Sequence, residues 1–162
     1  MPPRRTIPDV PLEGLYGAVI IDHYRNPRNR HPVSDPDMEA QDFNPFCGDQ
    51  VEVQAKLDPQ GRVTEVGFHA EGCSIIQASA SMMTEAMAGK SLDQLEELAS
   101  RFRQMMQGQL SWDGEGAYLG NLAALQVVRL YPVRIKCALL PWTTLEEGID
   151  RWRSRNGARP AG

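Results

Sequence analysis

The chain has 162 residues, of which 41% are hydrophobic and 23% are charged, as in one ordinary globular domain with its own core. Its formal net charge of −4 argues against nucleic acid or an anionic membrane as the main partner, and no apolar run is long enough for a membrane span or a secretion signal. We therefore expect a cytoplasmic protein. In that reducing compartment, clustered cysteines bind metal or react more often than they form disulfides.

The N-terminal part of the chain combines a proline-rich start with a helical pattern. Four prolines in residues 1–11 predict a flexible N-terminus. Apolar residues at spacings of three and four then predict a helix from residue 12 to Asn26, where Pro27 disfavours its continuation. A weak strand is predicted over residues 38–43.

The clearest strand signal is a hairpin in the middle of the chain. Apolar and polar residues alternate from Val51 to Leu57 and again from Val66 to Ala70, which gives each strand one buried face. Between them, residues 58–61 read Asp-Pro-Gln-Gly, a sequence typical of a turn. The pattern predicts a small antiparallel sheet.

Helical spacing dominates the rest of the chain. Helices are predicted over residues 75–88, from a capping box at Ser91 and Gln94 to Gly108, and over residues 119–130 and 138–153. A loop is predicted over residues 109–118, and a flexible tail over residues 154–162. Strands followed by helices predict an α+β fold, with helices packed on one face of the sheet, in a single domain over residues 12–153.

The chain has three cysteines, Cys47, Cys73 and Cys137, and each is predicted to lie at the boundary of an element. Asp49 follows Cys47 by two residues, and three thiolates with one carboxylate form a four-ligand set for a tetrahedral ion such as zinc. The predicted helices place Cys73 and Cys137 at helix N-termini, where the pKa of a thiol is lowered. Spacing alone leaves open the alternative that these are buried cysteines acting as small hydrophobic residues, because no interval is that of a zinc finger.

Three segments of the chain carry a family resemblance. They are Asn44-Pro45-Phe46-Cys47-Gly48-Asp49, residues 72–83 beginning with Gly72-Cys73, and residues 134–142, which contain Lys136-Cys137. The segments resemble the three signatures of the NifU/IscU-like iron–sulfur cluster assembly family, and more narrowly those of its SufU branch. The resemblance extends over residues 12–153 and implies the IscU/NifU-N-like fold.

The resemblance also implies a ligand set and a nucleophile. It implies that Cys47, Asp49, Cys73 and Cys137 hold zinc, and that Cys47 accepts sulfur. IscU-type scaffolds carry a histidine directly before the last cysteine, whereas this chain has Lys136, whose protonated amine does not readily replace imidazole as a ligand. This difference agrees with the SufU branch.

The implied function is that of a zinc-dependent sulfur acceptor of the sulfurtransferase type. It would take persulfide sulfur from a PLP-dependent, SufS-like cysteine desulfurase and pass it to downstream iron–sulfur assembly proteins. Arg134 and Lys136 either contact this desulfurase or are merely solvated. Two alternatives stay open: a scaffold that assembles a [2Fe–2S] cluster on the same ligands, and a binding module whose zinc is purely structural.

Overall fold

A computed structural model describes residues 14–44, 48–109 and 120–156 of the chain. In chain order, the elements of these residues are α1 (Gly14–Arg25), β1 (Met38–Asn44), β2 (Asp49–Leu57), β3 (Val63–Glu71), α2 (Ser74–Met87), α3 (Leu92–Met106), a 3₁₀ helix (Gly120–Leu130) and α4 (Pro132–Arg155). The predicted flexible N-terminus, most of the predicted loop over residues 109–118 and the last six residues of the predicted tail lie outside the described residues. Within the described segments, no helix combines the length and the apolar character that crossing a membrane requires.

The three strands form one antiparallel sheet in the order β1-β2-β3. The predicted alternation is confirmed, because Val51, Val53 and Ala55 on β2 are buried while the residues between them are more exposed. The predicted turn is confirmed as well: the amide of Gly61 donates to the carbonyl of Asp58 at 2.9 Å, and Gly61 has a φ of +81°. A positive φ is one that glycine adopts at little cost, so the turn sequence and the turn geometry agree.

The buried face of the sheet packs against helices. Helix α2 contacts β3, and α4 contacts β1, β2 and α2, so these two helices cover the apolar face of the sheet. The core continues between α3 and α4, where the rings of Phe102 and Trp142 stack with their centroids 4.7 Å apart. The predicted α+β fold is therefore confirmed.

The helix boundaries in the first two thirds of the chain agree with the sequence patterns. Helix α1 ends at Arg25, before Pro27 as predicted. The capping box of α3 is present: the hydroxyl of Ser91 accepts from the amide of Gln94 at 3.2 Å, and the side chain of Gln94 accepts from the amide of Ser91 at 2.9 Å.

The C-terminal helix begins earlier than the sequence predicts. The predicted helix over residues 138–153 is α4, which begins at Pro132 and includes Pro141. Proline suits the first turn of a helix because its fixed φ is already helical and its missing amide needs no partner there. Pro141 removes one helical hydrogen bond, yet the helix continues because Trp142, Leu145 and Ile149 are held in the core. The placement of Cys137 at a helix start is therefore wrong: Cys137 lies in the second turn of α4 and is buried.

The segment before α4 differs from the prediction in type. The helix predicted over residues 119–130 is a 3₁₀ helix, Gly120–Leu130. At its end the amide of Tyr131 donates to the carbonyl of Val128, three residues back, at 2.9 Å. Pro132 has no amide hydrogen to donate, so it cannot extend the helical hydrogen bonds of this segment. The segment therefore ends as a 3₁₀ helix, with hydrogen bonds between residues three apart, before α4 begins.

Candidate metal centre

Three of the four predicted ligands meet at one end of the sheet. Asp49 is the first residue of β2, Cys73 directly precedes α2, and Cys137 lies in α4. One donor atom from each, a carboxylate oxygen and two sulfurs, lies within 4.8 Å of the other two. The fourth predicted ligand, Cys47, lies outside the described residues, although in the chain it is only two residues before Asp49.

Strand pairing and helix packing bring these residues together. The ladder between β2 and β3 ends at the pair Gln50–Glu71, so Asp49 lies opposite the turn into α2. Helix α2 packs against α4, and the hydroxyl of Ser79 donates to the carbonyl of Ala138 at 2.7 Å. Because Ala138 is the neighbour of Cys137, this bond ties α2 to α4 next to the site.

The thiol of Cys137 bonds directly to the carboxylate. Its Sγ donates to Oδ2 of Asp49 at 3.1 Å, and both residues are only 2% exposed. A metal ion that binds both groups would replace the proton of the thiol. The hydrogen bond shows that β2 and α4 bring these two donor groups together.

The two thiols have opposite pKa shifts. A hydrogen bond from Cys137 lowers the pKa of Cys73 to about 7, and the amides of Ile76 and Ile75 at the start of α2 contribute, against the opposing effects of burial and of Asp49. The pKa of Cys137 is raised, first because it donates to Cys73 and then because of burial and Asp49. The pKa of Cys73 is thus lowered as predicted, but mainly by Cys137 and only in part by the amides at the helix N-terminus. For Cys137 the predicted lowering is wrong.

The donor atoms suit a tetrahedral ion in both chemistry and spacing. Zinc–sulfur bonds of about 2.3 Å and zinc–oxygen bonds of about 2.0–2.2 Å place the donors of one tetrahedral ion roughly 3.5–3.8 Å apart. The three described donors are within 4.8 Å of one another, so small side-chain adjustments suffice. Thiolates favour zinc and iron over magnesium or calcium, and three donors leave one position for a fourth ligand.

The histidines of the described residues do not belong to this site. His69 is exposed and contacts Glu71 at 3.0 Å. His23 is buried, and its Nδ1 bonds to the hydroxyl of Ser81 at 2.8 Å. None of the three histidines, including the exposed His31, is grouped with the three donors.

A basic and apolar surface surrounds the first turns of α4. Arg134 is partly buried and its Nη1 lies 4.0 Å from Sγ of Cys137, whereas Lys136 is exposed. Leu130 and Val133 are 74% and 79% exposed, which is unusual for such large apolar side chains. The two predicted partner-binding residues thus lie beside exposed apolar side chains and close to a thiol.

Two residues that shape the site were not predicted. Ser79 ties α2 to α4, and Gly72 lies directly against the carboxylate of Asp49. A signal for Ser79 exists in the sequence, since the run of small residues from Ala78 to Ser81 permits a close approach of two helices. Gly72 adjoins a predicted ligand, but its contact depends on a strand that is distant in sequence.

Fold and site together define an α+β domain with a mixed thiolate and carboxylate metal site. Residues 15–159 match the family of the NifU-like N terminal domain, and the chain belongs to this family. The predicted resemblance is confirmed.

Similar proteins are known in several bacteria. The protein named zinc-dependent sulfurtransferase SufU of Bacillus subtilis (strain 168) is 43% identical over 145 residues, which cover 90% of this chain and 96% of that protein. The protein named iron-sulfur cluster assembly scaffold protein IscU of Streptococcus pyogenes serotype M1 is 39% identical over 140 residues, 86% of either chain. A crystal structure from Fervidobacterium islandicum AW-1, whose description proposes a scaffold protein for the SUF system, has a TM-score of 0.74 at 30% identity and covers 81% of this chain and 93% of that one.

Proposed function

We propose that this protein is a zinc-dependent sulfur acceptor, a sulfurtransferase that takes persulfide sulfur from a cysteine desulfurase for iron–sulfur cluster assembly. The observation that carries the proposal is the convergence of Asp49, Cys73 and Cys137 on one small volume. Similarity to a protein named zinc-dependent sulfurtransferase supports zinc as the metal and sulfur transfer as the reaction. We expect the protein to act in the cytoplasm, where thiols stay reduced.

Zinc would be held by Cys47, Asp49, Cys73 and Cys137. When bound, it would keep the thiolates deprotonated and protect them from oxidation until a partner protein arrives. The carboxylate is a harder ligand than a fourth thiolate. Asp49 therefore makes the site easier to open than an all-cysteine site would be.

Cys47 is the proposed nucleophile. Its thiolate attacks the outer sulfur of the desulfurase persulfide; the bond from Cys47 to that sulfur forms while the sulfur–sulfur bond of the persulfide breaks. The desulfurase cysteine leaves as a thiolate, and the proton stays on the transferred sulfur. One disulfide-type bond replaces another, so the transfer needs no external oxidant or reductant.

The positions of the other two cysteines support this assignment. Cys137 is buried inside α4 and belongs to the core, so a partner persulfide has little access to its sulfur. Cys73 is held at the start of α2, where its sulfur accepts hydrogen bonds from the thiol of Cys137 and from helix amides. Both are better placed to retain a metal than to leave it.

The surface at the start of α4 is the proposed docking site for the desulfurase, a PLP-dependent enzyme of the SufS-like type. Arg134 and Lys136 carry positive charge there, and Leu130 and Val133 provide exposed apolar area. Apolar contacts at the centre of such a patch and charges at its rim are typical of protein interfaces. This surface adjoins Cys137, so a docked enzyme would stand next to the metal site.

A second candidate function is a scaffold that assembles a [2Fe–2S] cluster on the same ligands. It is favoured by the similarity to a protein named iron–sulfur cluster assembly scaffold, and thiolates bind iron as readily as zinc. Lys136 in place of the histidine of IscU-type scaffolds favours the sulfur acceptor.

Metal analysis after purification without oxygen separates the two functions. The sulfur acceptor should be colourless and contain about one zinc per chain, because the chain offers one four-ligand site. Asp49→Ala, measured in parallel, should retain less zinc, since it leaves three thiolates and an open position. Colour with stoichiometric iron and sulfide would contradict the proposal and establish the scaffold instead.

A further inference from the structure

Gly72 is in contact with the carboxylate of Asp49. A Cβ atom built on Gly72 would lie 2.1 Å from Oδ1 and 2.9 Å from Cγ of Asp49. The same Cβ would lie 3.1 Å from Cγ2 of Ile76. Contacts below 3 Å do not occur for real Cβ atoms, so the carboxylate occupies the volume that any other residue at this position would fill.

The carboxylate is also held on its other side. Its other oxygen, Oδ2, accepts from the thiol of Cys137, and Asp49 is 2% exposed. Ile76 is fully buried beside Gly72, and the backbone of Asp49 is fixed by its pairing with Asn44 across the sheet. A side chain at residue 72 would therefore displace the carboxylate from the thiols.

The backbone conformation of Gly72 is a separate requirement. Its φ is +139°, a value that residues with a side chain rarely adopt. Gly61, Gly89 and Gly108 also have a positive φ, but a Cβ on any of these three would meet no atom within 4 Å. Among these glycines, Gly72 alone has a ligand in the space of its missing side chain.

We infer that Gly72 is a positioning residue of the metal site, whose missing side chain provides the space in which the carboxylate of Asp49 stands beside Cys73 and Cys137. The inference rests on the proposed function and adds a residue to it that binds no metal. It also explains why β2 and the start of α2 approach so closely at this point. Gly72 thereby determines whether the site has a carboxylate ligand at all.

The first test is zinc affinity, measured by competition with a chromogenic chelator. Gly72→Ala should bind zinc about 10- to 100-fold more weakly than the wild-type protein, the usual effect of losing the support of a ligand. Gly61→Ala is the matched control: it places a side chain at a positive φ in open space, and should bind zinc as the wild type does. Equal affinity in Gly72→Ala and wild type would overturn the inference and leave the zinc site intact.

Cobalt(II) substitution reports on the carboxylate itself. In Gly72→Ala the cobalt derivative should keep its thiolate charge-transfer bands, while its ligand-field bands change to resemble those of Asp49→Ala. Ligand-field bands identical to those of the wild type would overturn the inference. A wild-type protein that binds neither zinc nor cobalt would overturn the proposed function instead.

A double variant keeps the test decisive if Gly72→Ala does not fold. Asp49→Ala removes the atoms with which the new Cβ collides, so the double variant Gly72→Ala with Asp49→Ala should recover folding. Urea unfolding of the metal-free proteins would show this as a smaller loss of midpoint for Gly72→Ala in the Asp49→Ala background than in the wild type. Equal losses in both backgrounds would mean that only the backbone conformation matters, and the inference would be wrong.

Discussion

Removal of the metal should lower the melting temperature of this protein by about 8–16 °C. The described donors lie in three elements, β2, the start of α2, and α4, so a bound ion joins parts of the fold that are far apart in sequence. An ion that binds only the folded state stabilises it by about 4 kcal/mol when its free concentration is a thousand times its Kd. In a domain of this size, each kcal/mol changes the melting temperature by about 2–4 °C, which leads to the predicted shift.

The metal-free protein should nevertheless remain folded at room temperature. Its core also contains many side chains that do not bind the metal, including the stacked rings of Phe102 and Trp142 between α3 and α4. Metal binding should therefore add to a stable fold instead of creating one.

Calorimetry in zinc-buffered solution, with and without a chelator, measures the shift, and elemental analysis verifies that the metal has been removed. Cys73→Ser is the control, because it lacks one thiolate and its melting temperature should respond much less to the chelator. An unchanged melting temperature after verified metal loss would refute the reasoning, since the site would then be uncoupled from the fold. Complete unfolding on chelation at room temperature would refute the claim of an independent core.

The remaining predictions concern the docking surface and acid stability. Arg134→Glu should weaken the complex with the desulfurase and should slow its formation most at low salt. The zinc content of this variant should stay that of the wild type. Arg155→Glu is the control, since Arg155 lies about 30 Å further along α4. Normal association of Arg134→Glu, measured by surface plasmon resonance, would remove Arg134 from the interface. Burial, and then the charge of Arg28, lowers the pKa of His23 in the folded protein. The unfolded chain therefore binds a proton at His23 near pH 6.5, whereas the folded protein binds it only at a lower pH. The stabilising contribution of neutral His23 is therefore fully present above that pH and is lost as the pH falls through the lower pKa of the folded state. Urea unfolding between pH 7.5 and 5 should show a shallower loss of stability for His23→Gln than for the wild type, and identical slopes would contradict this origin of acid sensitivity.

The parts of the fold that follow from local chemistry could be predicted from the sequence. The strand alternation of Val51, Val53 and Ala55, and the capping box of Ser91 with Gln94, each depend on neighbours a few residues away. The pattern of buried and exposed faces then determines which side of the sheet the helices cover. These features are present at the predicted places.

The parts that depend on tertiary contacts could not be predicted in this way. Helix α4 begins at Pro132 and runs through Pro141 because its apolar face is buried, whereas the helix predicted over residues 138–153 places Cys137 at its start. The raised pKa of Cys137 follows from its contacts with Cys73 and Asp49, which come from two other elements. The convergence of the donors was predicted through the family resemblance, whereas the role of Gly72 required the position of a distant strand.

The most direct test of the central claim is the location of the transferred sulfur. The zinc-loaded protein is incubated with a cysteine desulfurase and cysteine, the thiols are alkylated, and the peptides are analysed by mass spectrometry. The account predicts an extra sulfur on Cys47, because Cys73 and Cys137 are held at the site by the contacts described above. An extra sulfur mainly on Cys73 or Cys137, or on none of the three, would contradict it.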